Sequence, residues 1–279
     1  MDSRDYRLFE FYKKNSFERN QFFTKRRYFR LIKTFDRETF SKLLDKDYVN
    51  EHYSEFINRE WIKVTDETDN DSIRKFLFET RKAIVKPLSS EQGKGIFKIT
   101  SEQNDKIEKF IKERKGVFLI EECLENHPTI NTINPSSLNT MRVYTMVDKD
   151  GNIHILNSFL RVGGAGSDVD NWGSGGIGYH VNKDGIVDGY GIDKKCGKHA
   201  YHPSTNIMMI GFKIPRYNEL VKFCKDIIKK NKKAVYCGLD IAITEKGFAL
   251  VEINFPGGHD FLQCQGKGFY PTIKKYRGL

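Results

Sequence analysis

The sequence predicts an α+β protein assembled from antiparallel strand pairs rather than from a regular β-α-β alternation. Three observations predict it. Short β-like runs follow one another after about residue 60, at residues 83–86, 96–99 and 117–121. Two longer runs, residues 142–147 and 153–160, stand side by side with only a turn between them. The segment GLDIAITEKGFALVEIN joins residues 235–243 to residues 248–254 through a Glu-Lys-Gly turn, the pattern of a closing hairpin.

The elements follow in chain order. Residues 1–58 read as helical, basic and aromatic-rich, with Phe22, Phe23, Phe29, Ile32 and Phe35 near helical spacing. Lys25, Arg26, Arg27 and Arg30 form a charged side, expected as a solvated face, with an acidic or peripheral membrane-surface contact as the second reading. Between the runs at 96–99 and 117–121 lies an amphipathic helix, Asn104–Glu113. A glycine-dense stretch covers residues 163–178. A helix carrying Leu220, Phe223, Cys224, Ile227 and Ile228 precedes the final hairpin.

The 279 residues suffice for one large domain or a few packed subdomains. Hydrophobic residues at 38% exclude a disordered chain, and 47 Lys and Arg against 37 Asp and Glu favour an anionic partner. Five scattered cysteines without a C-x-x-C pair argue against a disulfide framework or a structural zinc site. There is no signal-peptide core and no apolar run near the ~20 residues of a membrane helix. A cytoplasmic protein without a transmembrane segment is expected.

Three segments carry chemistry. In the final hairpin Asp240 lies on one strand, and Glu252 and Asn254 lie on the other, two apart and so on one face. Val251 and Ile253 are expected on the opposite, apolar face. Two carboxylates and an amide oxygen supply hard ligands for Mg²⁺. Asp and Asn are poor strand residues, so a solvent-facing polar edge explains them less well.

In AIVKPLSSEQGKGIFKI a strand delivers Lys86, Pro87 is expected to stop the ladder, and a small-residue loop through Gly93 and Gly95 returns. Backbone N–H groups of such a loop bind phosphate, although a plain hairpin has the same signature. The spacing of an ordinary P-loop is missing. In VFLIEECLENHP a strand runs into an acidic pair, which suits a slot whose backbone pairs with a base edge. A surface Glu pair at a strand end is equally common.

In this order, strand–Lys–Pro–glycine loop, Glu-Glu hinge and Asp…Glu-x-Asn hairpin, the chain resembles the ATP-grasp superfamily. The segment ECLENHPTINTINPSSLNTMRVYTM is most similar to its sugar-transfer-associated subgroup, linked to cell-surface polysaccharide synthesis; the likeness spans roughly residues 40–268. The resemblance implies two α+β subdomains clasping ATP, with a helical segment 1–58, a small subdomain 59–125 and a large subdomain 126–279. It implies that Lys46 and Lys86 contact ATP, that the loop with Ser89, Ser90, Gly93 and Gly95 covers the phosphates, and that Glu121, Glu122, Cys123 and Leu124 hold adenine. Asp240, Glu252 and Asn254 would bind one or two Mg²⁺ ions, with Mn²⁺ as an alternative. Arg142, Arg161 and Asn171 would steady the γ-phosphate and an acyl phosphate. The chain departs from many relatives in lacking a long α/β domain ahead of the ATP-binding part, so acceptor recognition does not carry over.

The implied activity is a carboxylate–amine ligase acting on a small-molecule acid and a nucleophile, sugar-related and anionic. A phosphotransferase acting on a hydroxyl is the alternative, and a non-catalytic nucleic-acid-binding module is disfavoured. Gly173-Ser-Gly-Gly-Ile-Gly178 fits G-x-G-x-x-G by letter, but Tyr179-His-Val does not open a helix. The three Asp-x-Asp pairs, Asp69–Asp71, Asp148–Asp150 and Asp168–Asp170, are attributed to chance. His180, His199, His202 and His259 lack metal-ligand spacing, and His259 alone invites a test for a substrate role.

Overall fold

A computed structural model describes residues 3–88, 95–164 and 175–278. The chain divides into a large unit, Met1–Leu44 with Glu125–Leu279, and a small unit, Asp45–Leu124.

The N-terminal part of the large unit forms four short helices, α1 (Ser3–Leu8), α2 (Ser16–Asn20), α3 (Lys25–Ile32) and α4 (Arg37–Leu44). Asn15 and Glu18 close a reciprocal capping box on α2, which fixes where that helix begins. The single apolar face expected from Phe22, Phe23, Phe29, Ile32 and Phe35 is not formed. Phe22 and Phe23 precede α3 in the chain, and Phe29 on α3 is 51% exposed. The buried rings cluster across the helices instead. Phe9, Phe11 and Phe22 lie 5.0 to 5.5 Å apart, and Phe35 stacks on Phe255 at 4.7 Å. Arg27 leaves the basic side to donate to the carbonyls of Asn20 and Phe22 and to stack on Tyr270 at 3.6 Å.

The small unit contains α5 (Lys46–His52), α6 (Ser54–Ile57), β1 (Trp61–Val64), α7 (Asn70–Thr80), β2 (Lys82–Pro87), β3 (Phe97–Thr100), α8 (Asn104–Glu113) and β4 (Phe118–Glu122). Its four strands are antiparallel in the order β1-β4-β2-β3. Asp69 caps α7 by accepting from the Ser72 N–H at 2.9 Å, which accounts for the first Asp-x-Asp pair. Ile107, Phe110 and Ile111 of α8, spaced for one helical face, join Ile73, Phe76 and Leu77 of α7 against Ala83, Val85, Ile99 and Ile120 of the sheet.

Pro87 does not stop the ladder as expected. Pairing with β4 runs on through Lys86↔Leu119 and Pro87↔Phe118, and the Leu88 N–H donates to the Val117 carbonyl. Only the β3 side ends, at Val85↔Phe97. Hydrogen-bonding directions alternate along a strand, so the N–H that proline lacks falls on the side β3 has already vacated.

The remainder of the large unit comprises α9 (Pro128–Asn131), β5 (Thr140–Val147), β6 (Ile153–Val162), β7 (Ile177–Val181), β8 (Gly191–Ile192), β9 (Lys198–His199), α10 (Tyr217–Lys230), β10 (Tyr236–Thr244), β11 (Gly247–Asn254) and α11 (Tyr270–Arg277). The sheet order is β11-β10-β5-β6-β7-β8-β9. Helix α10 buries Leu220, Cys224, Ile227 and Ile228, and its Tyr217 hydroxyl donates to Ser158 Oγ at 3.0 Å. The N-terminal residues serve the other face. Phe23 meets Tyr236 edge-on at 6.1 Å, and its N–H donates to Gln263 Oε1 at 2.7 Å. Phe261 covers Phe159 at 4.6 Å.

Candidate functional site

The hairpin of β10 and β11 builds the site of the large unit. Asp240 stands opposite Arg142 of β5 on one side and opposite Glu252 of β11 on the other. Directly opposed residues share a face, so the three heads emerge together. A bulge between Asp240 and Ile241 leaves Val251 without a cross-strand partner, and alternation resumes at Glu252 and Asn254. Val251 is therefore only half-buried, whereas Ile253 is buried as expected.

Asp240 is buried among donors. Arg142 Nε donates to Oδ1 at 2.5 Å and Nη2 to Oδ2 at 2.8 Å. Arg161 of β6 adds Nη1 to Oδ2 at 2.8 Å, and Asn254 Nδ2 approaches Oδ2 at 3.2 Å. Burial alone would raise the Asp240 carboxyl, but the two guanidiniums overcome it and hold the group below its ordinary value. Arg142 likewise stays charged, because Asp240 outweighs the desolvation that would lower it. Gly238 makes room for this arrangement: a Cβ there would stand 3.1 Å from Arg142 Cδ and 3.2 Å from Nη1.

Oxygen donors of the kind a hard divalent cation takes share this face, although both Asp240 oxygens here accept from the guanidiniums. Two carboxylates and an amide converge, with Asn254 Nδ2 at 3.5 Å from Glu252 Oε2. Which amide atom faces the carboxylates is an assignment, and a flip would present Oδ1. No group of three or more His, Cys, Asp or Glu able to hold a metal occurs among the described residues, so the amide is needed to complete a set of three.

The small unit holds the other expected residues. Lys86 and Glu121 lie on the sheet face away from α7 and α8. Glu121 is an ion-pair hub. Its Oε2 meets Lys86 Nζ in a close pair, and its Oε1 accepts from Arg59 Nη2 at 2.8 Å and Asn50 Nδ2 at 3.1 Å. Burial would raise its carboxyl, yet Lys86 and Arg59 hold it far below the usual range. Of the expected hinge, the Glu122 N–H is taken by the Glu60 carbonyl and the Cys123 N–H by the Lys82 carbonyl, each at 2.9 Å. The Leu124 N–H has no backbone acceptor among the described residues. Lys46 is the first residue of α5, half-buried, and Asn50 follows one turn later.

Gly95 takes φ +76°, which its lack of a Cβ permits. Ser89, Ser90, Gly93 and Asn171 lie outside the described residues, as do Gly173 and the pair Asp168–Asp170. Ile177 opens a strand, in keeping with the rejection of a dinucleotide motif. Asp148 accepts from the Asp150 and Asn152 N–H groups in a turn. The histidines have internal partners: His180 with Asp188, His199 with Asp193, His202 with the Gly163 carbonyl and His259 with Asp5. Arg59 and Asn50 went unforeseen, since they come from helical and connecting segments without a motif. Arg59, a lone cation just ahead of the first strand, was the nearest thing to a signal.

Two α+β units, one with a four-stranded antiparallel sheet and one with an Asp…Glu-x-Asn hairpin, define an ATP-grasp protein. Residues 25–277 match the family described as sugar-transfer associated ATP-grasp, and the chain belongs to it. No curated protein matches the sequence. Among solved structures, the ADP complex of purK, N5-carboxyaminoimidazole ribonucleotide synthetase, is 10% identical over 79% of this chain and 46% of that one, with a TM-score of 0.51. D-alanyl-alanine synthetase A of Vibrio cholerae O1 biovar eltor is 14% identical over 80% and 63%, with a TM-score of 0.47. The D-alanine-D-alanine ligase of Coxiella burnetii is 9% identical over 76% and 48%, at 0.43. The chain thus spans only 46% to 63% of the length of these proteins, and the likeness at such identities concerns the fold. No described helix is long and apolar enough to cross a membrane.

Proposed function

We propose that the chain is an ATP-dependent ligase that activates a carboxylate as an acyl phosphate for attack by an amine or another nucleophile, in cell-surface polysaccharide or sugar-conjugate synthesis. Family membership supports the ATP-grasp chemistry, and the family description supports the sugar context. The observation that carries the reading is the Asp240 cluster, where two arginines and three oxygen-bearing side chains share one sheet face.

Asp240, Glu252 and Asn254 would hold Mg²⁺, with Mn²⁺ as a substitute. Such an ion, when bound, offsets phosphate charge and orients the transferred group. Arg142 and Arg161 are fixed in place by Asp240, and both would steady a phosphoryl oxygen. Positioning and charge compensation of this kind supply most of the rate in phosphoryl transfer. One preorganised donor is worth about 3 kcal/mol, or ~10²-fold. Lys86 would leave Glu121 in part to meet the inner phosphates, and the Leu124 N–H would pair with the base. Lys46 is assigned an outer nucleotide contact on the family pattern alone.

The test is an ADP-release screen with the purified chain, Mg²⁺ and panels of sugar acids and amines. The ligase reading expects free phosphate released only when both an acid and a nucleophile are present. Phosphate transferred to a hydroxyl of the second substrate would replace it with the phosphotransferase reading.

A further inference from the structure

A cavity of about 730 Å³ in the large unit shares no residue with the Asp240 cluster. Its volume lies within the range of small-ligand sites. The lining contains three lysines, Lys183, Lys225 and Lys267, two histidines, and neither a carboxylate nor an arginine. None of the three lysines has a hydrogen-bond or ion-pair partner among the described residues. The neighbouring acids are each committed to a partner: Asp148 to the lining His154 at 2.7 Å, Asp188 to the lining His180 at 2.5 Å, and Asp226 to Lys229 at 2.6 Å.

Two backbone features add to the positive lining. Helix α10, 14 residues long, starts beside the cavity, and its N-cap Arg216 makes no side-chain cap. That first turn also carries Glu219, which is paired with Arg216 at 2.6 Å, and the positive end of the helix dipole favours an anion. Asn218, in that turn, lines the cavity with its amide uncommitted among the described residues. Strand β6 also outlasts its neighbour. β7 pairs only with residues 158–162, so no strand covers the outer edge of residues 153–157 among the described residues. That edge offers N–H and C=O groups of the kind that hydroxyls satisfy.

From this we infer that the cavity binds a phosphorylated sugar, a dianion rich in hydroxyl groups. The lysines decide between anions. A carboxylate is planar and monovalent and is matched by the arginine fork, which the lining lacks, whereas ammonium groups serve as point charges for phosphate. The free strand edge and the Asn218 amide take the hydroxyls. The site stands independently of the ligase reading, because it uses none of that reading's residues.

The test is calorimetric titration of the full chain with glucose 1-phosphate, glucose, glucuronate and inorganic phosphate. Glucose 1-phosphate is expected to bind at least about tenfold more tightly than any of the other three. Lys225→Ala should weaken it by about tenfold. The triple variant Lys183→Ala/Lys225→Ala/Lys267→Ala should lose it while keeping wild-type MgATP affinity and thermal midpoint. Lys86→Ala should leave it unchanged. The inference is overturned by no binding of glucose 1-phosphate, by binding that survives in the triple variant or disappears in Lys86→Ala, or by equal affinity for inorganic phosphate or glucuronate.

Discussion

Arg142 stands directly across the strand pair from Asp240 and closes on both of its carboxylate oxygens, at 2.5 and 2.8 Å. The pair is a structural element as well as a candidate for chemistry, since the carboxylate is buried and loses its main counter-charge if Arg142 is removed. Arg142→Ala is expected to cost about 3 to 5 kcal/mol of stability. Arg142→Lys should recover little, because a lysine cannot reproduce the two-point contact. Urea unfolding of both variants provides the check, and a loss below about 1 kcal/mol in Arg142→Ala would show that the pair contributes little.

Gly238 supports the same geometry from the neighbouring strand. Gly238→Ala places a methyl 3.1 Å from Arg142 Cδ, tight enough to push the guanidinium off Asp240. The expected cost is about 1 to 3 kcal/mol. ADP release should fall together with the thermal midpoint, and a variant that melts like wild type with full turnover would contradict it.

Glu121 gives the small unit a distinct pH dependence. Its carboxyl, held far below the ordinary 4.5 by Lys86 and Arg59, remains ionised in the folded chain where the unfolded chain has begun to protonate. A depressed group contributes stability above its unfolded value and loses it as pH falls toward the folded one. The gap between wild type and Glu121→Gln should therefore be constant, about 3 kcal/mol, above pH ~5 and shrink as pH drops below ~4.5. Denaturant unfolding at stepped pH reads this directly. A gap that stays flat or widens in acid would be the wrong sign.

Periodicity made most of the framework legible. The amphipathic run Asn104–Glu113 announced α8, and the Glu-Lys-Gly turn announced the hairpin, because local spacing alone decides such elements. The N-terminal helices were less readable. Their aromatic residues are placed by contacts with Tyr236, Phe255 and Gln263, more than two hundred positions away, which no local period encodes. The same holds within the site. Asp240, Glu252 and Asn254 stood out as polar residues in strands, whereas the closure of Arg142 and Arg161 on Asp240 depends on register across three strands. Glu121 pointed to a base slot through its backbone, while its side chain is an ion-pair hub with Arg59 and Asn50.

Glu252 is exposed, so its replacement separates chemistry from folding. The most direct measurement is calorimetric titration of ATP, with and without Mg²⁺, into wild type and Glu252→Ala. The account predicts binding that tightens with Mg²⁺ in wild type and loses that dependence in the variant, with the thermal midpoint unchanged. Equal Mg²⁺ dependence in both proteins would contradict it.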